Sequence, residues 1–343
     1  MNVIDEGNGE LVGWEHPDEM RQWNRENRSR AFEDKRMSAA EAVDRYVDDG
    51  DVVASGGFGH VRISTPILHE IVRQGIEDLT LMGKTTVFDA DILIASGAVS
   101  RVDNAYCFAH ETRGLAPAGR RKVENGEVEV VAEASNATLQ WRFLAAKMGV
   151  PFVPTRILSG TDTFEQSSAK VVEDPWSGDP VTLVPACYPD AVAIHVTKAD
   201  KYGNAVIDGI SVEDPELSGA AKRLIVTAEE IVDSDELRER PKEVEIPYFQ
   251  VDAVVEAPYG SHPGEMPYHY YFDEAHLEEW MDLTETEEGT QEYLERYVTG
   301  TDDFEEYLEE IGGADRLAEL EAIERYERPE AGGPADRNGG DRA

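Results

Sequence analysis

The sequence predicts an α/β protein with an open, mostly parallel β-sheet, helices on both of its faces and a set of acidic helices at the C-terminal end. Short runs rich in Val, Ile, Leu and Ala recur through residues 51–255, and helical patterns lie between several of them. Apolar, β-branched strands that alternate with helices are typical of a parallel sheet that is covered on both faces. Beyond Tyr271 acidic amphipathic patterns replace the apolar runs and predict helices.

The individual elements follow from local signals. Ser38 and Glu41 form a capping-box pattern, which predicts a helix over residues 38–48. Thr65 and Pro66 predict the start of the next helix, with Thr65 as its N-cap. Strands are predicted at 51–55, 79–82, 104–109, 128–131, 181–185, 191–197, 224–227 and 253–255. The remaining helices are predicted at 67–74, 89–95, 137–147, 228–233, 275–281, 290–298, 303–311 and 315–326.

Composition divides the chain into three parts. Residues 1–35 are polar and charged, and we expect an N-terminal extension that lies over a surface or against a partner. Residues 36–328 are predicted to form the main domain, with 275–328 as its helical C-terminal part. Residues 329–343 are rich in Gly, Pro and charged residues, which predicts a disordered tail.

The charge balance narrows the classes of partner and of habitat. The chain has 71 acidic and 32 basic residues, a formal net charge of −39, which argues against nucleic acid or an anionic membrane as partner. Such a surplus repels itself at ordinary ionic strength, but at molar salt the Debye length falls to about 3 Å. We therefore expect a salt-adapted protein of haloarchaeal type. An acidic surface that serves only solubility is the alternative.

Cysteine content and hydropathy indicate the compartment. Cys107 and Cys187, the two cysteines of the chain, each lie in an apolar stretch, which predicts buried thiols and no disulfide framework or cysteine metal cluster. No run reaches the roughly 20 apolar residues that a membrane span needs. We expect a cytoplasmic protein that needs no metal.

The strongest local signal is a glycine loop between a predicted strand and a predicted helix, made of Gly56, Gly57, Phe58 and Gly59. Glycines after a parallel strand allow a ligand to approach the backbone, and their N–H groups can stabilise developing negative charge. The loop lacks the Gly-Lys-Ser/Thr of a phosphate-binding P-loop and the Gly-x-Gly-x-x-Gly spacing of dinucleotide sites. A tight turn without function is the alternative.

Five segments of the chain carry a resemblance to a known family. Residues 51–59 and 73–80 resemble the opening of glutaconate CoA-transferase A subunits, and later segments are similar to the same family in the same order. These later segments are 147–154, 227–231 and 251–263. The similarity extends over about residues 36–312. It implies the fold of the CoA-transferase family I, which is also described as sugar-isomerase-like.

The resemblance also implies a reaction. In this family a glutamate attacks an acyl-CoA thioester, and the resulting anhydride is converted to a glutamyl-CoA thioester from which an acceptor acid takes the CoA. That glutamate belongs to the B subunit, so this chain is expected to hold no catalytic nucleophile and to act in a heterotetramer or larger assembly. Its substrates would be CoA esters and a glutaconate-like or 3-oxo acid. Glu124, in the look-alike Glu124-Asn125-Gly126, is interpreted as part of a tight turn.

Two further segments supply candidate site residues. Arg62, His110, Glu111 and Thr112 are candidates for the acyl pocket, the last three because they follow the predicted strand 104–109. Arg62 could offset a carboxylate or phosphate of the substrate, or be a surface arginine, and His110 and Glu111 could be an ordinary solvated pair. A second group, at the active site or the subunit interface, comprises Tyr259, Gly260, Ser261 and His262. A metal site of His262, His269 and His276 is a weaker alternative, because the prolines between them break any regular helix face.

Two other functions are alternatives. Ring-cleaving acyl-CoA hydrolases use similar paired subunits and, as we align them, carry an acid near the start of the helix predicted at 137–147. This chain has Ser135, Asn136 and Ala137 there, which favours transfer. A non-catalytic ligand-binding or scaffold protein on the same fold is the third hypothesis. A scaffold has no need of exposed backbone donors, so the glycine loop argues against it.

The charge balance generates a first prediction. We expect the thermal unfolding temperature to fall steeply as salt is lowered from molar concentration, because the repulsion among the acidic residues is then no longer screened. Circular dichroism melts across a NaCl series measure this. A chain that stays folded and discrete in low salt would contradict the salt-adapted interpretation.

Overall fold

The computed structural model describes residues 2–326, so the tail predicted at 329–343 lies outside the described residues. The strands are β1 Val3–Glu6, β2 Val52–Ser55, β3 Leu79–Lys84, β4 Val99–Ala105, β5 Glu129–Glu133, β6 Phe152–Thr155, β7 Lys170–Glu173, β8 Pro180–Pro185, β9 Ala191–Asp200, β10 Ala205–Val206, β11 Arg223–Val232, β12 Val244–Ile246 and β13 Ala253–Glu256. The α-helices are α1 Pro17–Asn27, α2 Ala39–Tyr46, α3 Thr65–Arg73, α4 Phe88–Ala95, α5 Pro117–Glu124, α6 Asn136–Met148, α7 Asp162–Glu165, α8 Asp214–Ala220, α9 Ser234–Glu239, α10 Glu274–Leu283, α11 Glu287–Leu294, α12 Phe304–Glu310 and α13 Gly313–Glu324. None of the helices in residues 2–326 is long and apolar enough to cross a membrane.

A nine-stranded sheet forms the centre of the fold and confirms the predicted α/β class. Strands β13, β11, β9, β2, β3, β4 and β5 are paired in parallel in that order, and the short β10 and β12 add an antiparallel edge. Both faces are covered. Val53 and Ile225 pack into one hydrophobic cluster with helices α2, α3 and α4, whereas Ala54 and Val226 pack into another with α6 and α8. Because the strands are parallel, their carboxyl ends meet at one edge of the sheet.

A second, antiparallel sheet was not predicted from the sequence. It has the strand order β1-β7-β8-β6, so the strand predicted at 181–185 belongs to it and not to the parallel sheet. Its edge strand β1 comes from the N-terminal extension, and α1 of the same extension buries Met20 in the second cluster. A strand pattern does not reveal which sheet the strand joins, because pairing partners are distant in sequence.

Three local predictions were wrong. The helix predicted at 228–233 is the second half of β11, which pairs with β9 up to Val232. The strand predicted at 104–109 is β4, which begins at Val99 and ends at Ala105; the sequence does not show that Asp103 in this strand is buried against the distant Arg142. Thr65 is the first residue of α3, and Ser64 precedes it as N-cap without a capping hydrogen bond. The capping box of Ser38 is confirmed.

The C-terminal helices pack onto the first cluster, close to their predicted positions. Trp280, Tyr293 and Tyr307 are fully buried there. The indole N–H of Trp280 donates to Asp91 on α4 at 2.8 Å. His276, also buried, lies 2.6 Å from the Tyr293 hydroxyl. The helical part is thus continuous with the core that supports the parallel sheet.

The burial of His276 predicts a pH dependence of stability. Burial lowers the pKa of His276 to about 3, whereas the unfolded chain protonates it near its ordinary value of about 6.5. Unfolding at intermediate pH therefore takes up a proton, and the free energy of unfolding loses about 1.4 kcal/mol per pH unit from this residue as pH falls. We expect His276→Gln to make the slope shallower by that amount in urea unfolding between about pH 6 and 4.5.

The matched control is Tyr293→Phe, which removes the hydroxyl that lies 2.6 Å from the His276 ring but keeps the buried imidazole. This control should keep the slope of the wild-type protein. Equal slopes for His276→Gln and the wild type would contradict the prediction.

Candidate functional site

The glycine loop forms a tight turn directly after β2. The N–H groups of Phe58 and Val61 each donate to the carbonyl of the other residue, at 3.1 and 3.0 Å, which closes a two-residue turn over Gly59 and His60. Gly59 has φ +64° and Gly57 has φ +84°, a region that side-chain-bearing residues rarely adopt. A two-residue turn of this kind requires a positive φ at its first central position, which Gly59 occupies.

The N–H groups of the loop all have acceptors within the chain. They are Gly56 to Ala193 O (2.8 Å), Gly57 to Asp214 Oδ1 (2.7 Å), Phe58 to Val61 O (3.1 Å) and Gly59 to Thr85 O (2.7 Å). These four groups are therefore not free oxyanion donors in this conformation, contrary to the expectation from sequence. They hold the loop in place. The glycines instead provide space, since a Cβ on Gly56 would lie 2.6 Å from Asp214 Oδ1.

Arg62 is neither a surface arginine nor a group that faces a substrate. Its side chain is 1% exposed, and its guanidinium donates to Asp214 Oδ2 at 2.9 Å and to the carbonyl of Ile210 at 2.6 Å. Asp214 in turn accepts from Gly57 N–H, so Arg62 lies behind the loop and supports it. Sequence reasoning missed Asp214, because nothing near it in the chain indicates that it contacts residues 56–62.

The segment Tyr259–His262 also supports the loop from behind. Backbone and side-chain hydrogen bonds join residues 260–265 to residues 60–65. They are Glu265 N to His60 O (2.7 Å), Arg62 N to Glu265 O (2.9 Å), Ile63 N to Ser261 Oγ (2.9 Å) and Thr65 N to Gly260 O (3.1 Å). This part of the chain is therefore the inner wall of the site.

The side chains of this segment connect it to the core. Tyr259 N–H donates to Glu229 Oε2 at 2.7 Å, and the Tyr259 hydroxyl donates to Glu321. His262 is fully buried and places its two ring nitrogens 2.7 Å from the Tyr307 hydroxyl and 3.2 Å from Asp273. Among residues 2–326 no group of three or more His, Cys, Asp and Glu is arranged to hold a metal ion.

The predicted loop His110–Thr112 lies against the glycine loop, although about fifty residues separate them. His110 is buried and lies 3.3 Å from Asp91, so it is not part of a solvated pair. Glu111 is the more exposed residue, and its Oε1 lies 2.7 Å from where a Cβ on Gly59 would be. Thr112 is exposed. The structure thus brings the two candidate loops together.

His60 is a further candidate residue that sequence reasoning missed, although it directly follows Gly59. Its side chain is 2% exposed, and its ring centroid is 5.5 Å from that of His110. Its Nδ1 lies 3.5 Å from Glu111 Oε2, which is long for a hydrogen bond, and neither ring nitrogen has a hydrogen-bond partner within the described residues. Burial lowers the pKa of His60, and the contact with His60 lowers the pKa of Glu111.

The face that surrounds these loops mixes acidic and apolar groups. Burial raises the pKa of Glu265 to about 7, and the charges of Glu324 and Glu111 add to the effect. Phe58, Tyr106 and Leu115, on the loops that follow β2 and β4, are 36%, 48% and 57% exposed. The loops at this edge of the sheet therefore carry both acidic side chains and exposed apolar ones.

The geometry of Gly57 predicts an unusually costly substitution. A Cβ on Gly57 would lie 2.2 Å from the Val61 carbonyl oxygen and 2.8 Å from that of Arg62, which are backbone atoms that cannot move aside as a flexible side chain can. Gly126 has a similar φ of +75° but open space around it. We expect Gly126→Ala to cost about 1–2 kcal/mol for its backbone conformation alone, and Gly57→Ala to cost clearly more in urea unfolding. Equal losses of unfolding free energy in the two variants would contradict this prediction, because they would show that the loop backbone shifts to relieve the overlap.

Comparison with known proteins identifies the family of this chain. The sequence profile of the coenzyme A transferase family matches residues 36–257. The chain is 31% identical over 306 residues to the glutaconate CoA-transferase A subunit of Acidaminococcus fermentans, covering 84% of this chain and 95% of that relative. It is 34% identical over 278 residues to the 3-oxoadipate CoA-transferase A subunit of Pseudomonas knackmussii, covering 80% and 97%.

A solved structure extends the similarity to three dimensions. The crystal structure of glutaconate coenzyme A-transferase from Acidaminococcus fermentans superimposes with a TM-score of 0.80 at 32% identity. The superposition covers 83% of this chain and 95% of that chain. The residues 36–257 that match the family profile include the glycine loop, the His110–Thr112 loop and Asp214. This protein is therefore a member of the coenzyme A transferase family.

Proposed function

We propose that this chain is the A subunit of a CoA-transferase, which moves CoA between an acyl-CoA and a free carboxylic acid together with a B subunit. The observation that carries the proposal is the meeting of the glycine loop and the His110–Thr112 loop at the carboxyl edge of the sheet, where Glu111 lies over Gly59. Two relatives of similar length are named as A subunits of CoA-transferases.

The chemistry requires a carboxylate nucleophile, which we assign to the B subunit. A glutamate oxygen attacks the thioester carbonyl. The C–S bond then breaks, which releases CoA as a thiolate and leaves a mixed anhydride of the glutamate and the acyl group. The thiolate then attacks the glutamyl carbonyl, which releases the first acid and leaves a glutamyl-CoA thioester for the acceptor acid. This chain contributes the wall of the acyl pocket and the shape of the loop.

We assign the acyl pocket to His60, His110, Glu111 and Thr112, and remove Arg62 from it. The Arg62 guanidinium is 1% exposed and donates to Asp214 and to the carbonyl of Ile210, behind the loop. His60 is also buried, neither of its ring nitrogens has a hydrogen-bond partner within residues 2–326, and a buried polar group without a partner costs about 1–3 kcal/mol. A ligand or a group of the B subunit would satisfy these nitrogens.

For the acid, the names of the two relatives support a small dicarboxylic or 3-oxo acid. Glutaconate and 3-oxoadipate both carry a second carboxylate. Burial lowers the pKa of His60, but an anionic ligand beside this histidine would raise that pKa, which makes His60 a suitable partner for the second carboxylate. We therefore propose a substrate of this class.

The exposed apolar side chains around the loops support an interface with the B subunit. Phe58, Tyr106 and Leu115 lie on the site loops, and aromatic and apolar side chains that cluster on a surface mark protein–protein contacts. We propose that the B subunit covers this face, in a heterotetramer or larger assembly that works in a salt-rich cytoplasm. The site is then half of a shared active site.

The start of α6 bears on the hydrolase alternative. Ser135 caps this helix together with Thr138, in a mutual pair of hydrogen bonds, and Asn136 is its first residue. No carboxylate lies in this first turn, where we expect the ring-cleaving hydrolases to carry an acid. This supports CoA transfer over ring cleavage by water.

The test is a transfer assay on the reconstituted complex. We expect the chain co-expressed with a candidate B subunit to move CoA from an acyl-CoA to dicarboxylic or 3-oxo acids in molar salt, and the isolated chain to be inactive. Chromatography of both acyl-CoA species measures the transfer. Activity of the isolated chain would contradict the shared site, and opening of a ring-containing acyl-CoA by water, with its thioester intact, would identify a ring-cleaving hydrolase.

A further inference from the structure

Four charged side chains are buried together beneath the glycine loop. Arg62 and Asp214 form one ion pair, at 2.9 Å, and Lys84 and Glu213 form another, at 2.8 Å. None of the four side chains is more than 4% exposed. Glu213 and Asp214 are neighbours in the chain, so the two pairs form one cluster, whose formal charges sum to zero.

The first pair holds the backbone of the loop. Asp214 Oδ1 accepts the Gly57 N–H at 2.7 Å while its other oxygen accepts from Arg62. Arg62 is itself at the end of the loop, with a positive φ of 57°. The pair therefore joins the beginning of the loop to its end through one carboxylate.

The second pair holds the exposed ring of the loop. Lys84, the last residue of β3, places its Nζ 4.8 Å from the centroid of the Phe58 ring. Such a contact between a cation and an aromatic face is attractive, and more so when it is shielded from water. The next residue, Thr85, accepts the Gly59 N–H. Glu213 thus fixes the cation on which Phe58 rests.

Stability alone does not account for such a cluster. In many proteins the loss of hydration when ion pairs are buried costs more free energy than the attraction within the pairs supplies. Replacing such pairs by well-packed apolar residues of similar volume often leaves the protein as stable or makes it more stable. Burial raises the pKa of Glu213 to about 7 and raises that of Asp214, which shows that the ionised forms are held at a cost. The return is in geometry, because the two ion pairs hold Arg62 and Lys84 in place against the loop.

We propose that Lys84 and Glu213, with Arg62 and Asp214, are positioning residues that hold the glycine loop and the Phe58 ring in the geometry that the reaction requires. They act through the loop and do not touch the reacting atoms. The inference rests on the proposed function for its kinetic consequence, but the ordering of the loop is a property of this chain alone.

The test removes one ion pair without leaving a lone buried charge. In the complex with the B subunit, Lys84→Met combined with Glu213→Gln should lower kcat by about 10- to 100-fold, the effect of a misplaced reacting group. KM for the acyl-CoA should stay close to the wild-type value. Amide hydrogen exchange of residues 56–61 should lose protection in the same variant.

The matched control is Arg142→Met combined with Asp103→Asn. That ion pair is equally buried, and Arg142 bonds Asp103 and the carbonyl of Val12. The control should lose a similar amount of thermal stability but keep the protection of residues 56–61 and the wild-type kcat. Lys84→Arg alone keeps a cation beside Glu213, so it should have a higher kcat than the Lys84→Met and Glu213→Gln double variant.

The outcomes separate the two proposals. Unchanged exchange of residues 56–61 in the Lys84 and Glu213 double variant would overturn the positioning role, whatever the activity of the complex. An equal loss of kcat in the control would also overturn it, because the effect would then be general destabilisation. A wild-type complex that moves no CoA would instead refute the proposed function, and the exchange measurement would still decide the role of the cluster.

Discussion

The geometry of the glycine loop depends on the carboxylate of Asp214. It is completely buried, and its two oxygens accept from the Gly57 N–H and from the guanidinium of Arg62. An ionised carboxylate away from water is tolerated only when donors of this kind satisfy it. The carboxylate comes so close to Gly56 that no side chain fits there. The need for glycine at the start of the loop is thus explained by a residue more than 150 positions later.

The parallel sheet brings the other parts of the site to the same edge. The glycine loop follows β2, Lys84 ends β3, and the loop of Glu111 follows β4, and these strands are neighbours. Since parallel strands end on the same side, residues that are distant in sequence become adjacent. Residues 260–265 then close the inner side of the loop by hydrogen bonds to residues 60–65.

The structure changes the role of the glycines. The sequence predicts them to be donors for an oxyanion, yet the N–H groups of the loop are taken by Ala193, Asp214, Val61 and Thr85. The contribution of the glycines is space and positive φ, which let the turn form over buried charges. Polar groups without partners among the described residues lie instead on His60, beside Glu111. The centre of the candidate site therefore moves from the backbone of the loop to the side chains around it.

Local sequence patterns predicted many of the strands and helices but not how the strands pair. The capping box at Ser38, the run 51–55 and the C-terminal helices were predicted close to their places, because capping and periodicity are properties of neighbouring residues. The second half of β11 was predicted as a helix, since only its pairing with β9 makes it a strand. The antiparallel sheet that includes β1 was missed for the same reason, because its partners are far apart in the chain.

The sequence by itself determined the family, the glycine loop and the candidate loop at His110–Thr112, because these are contiguous and carry recognisable residues. Only the tertiary structure decided that Arg62 faces inwards, that His60 lies beside Glu111 and that Lys84, Glu213 and Asp214 lie beneath the loop. The physical reason is that burial and ion pairing depend on which distant segments meet. The identity of a charged residue does not show whether its side chain lies in water or against a buried partner.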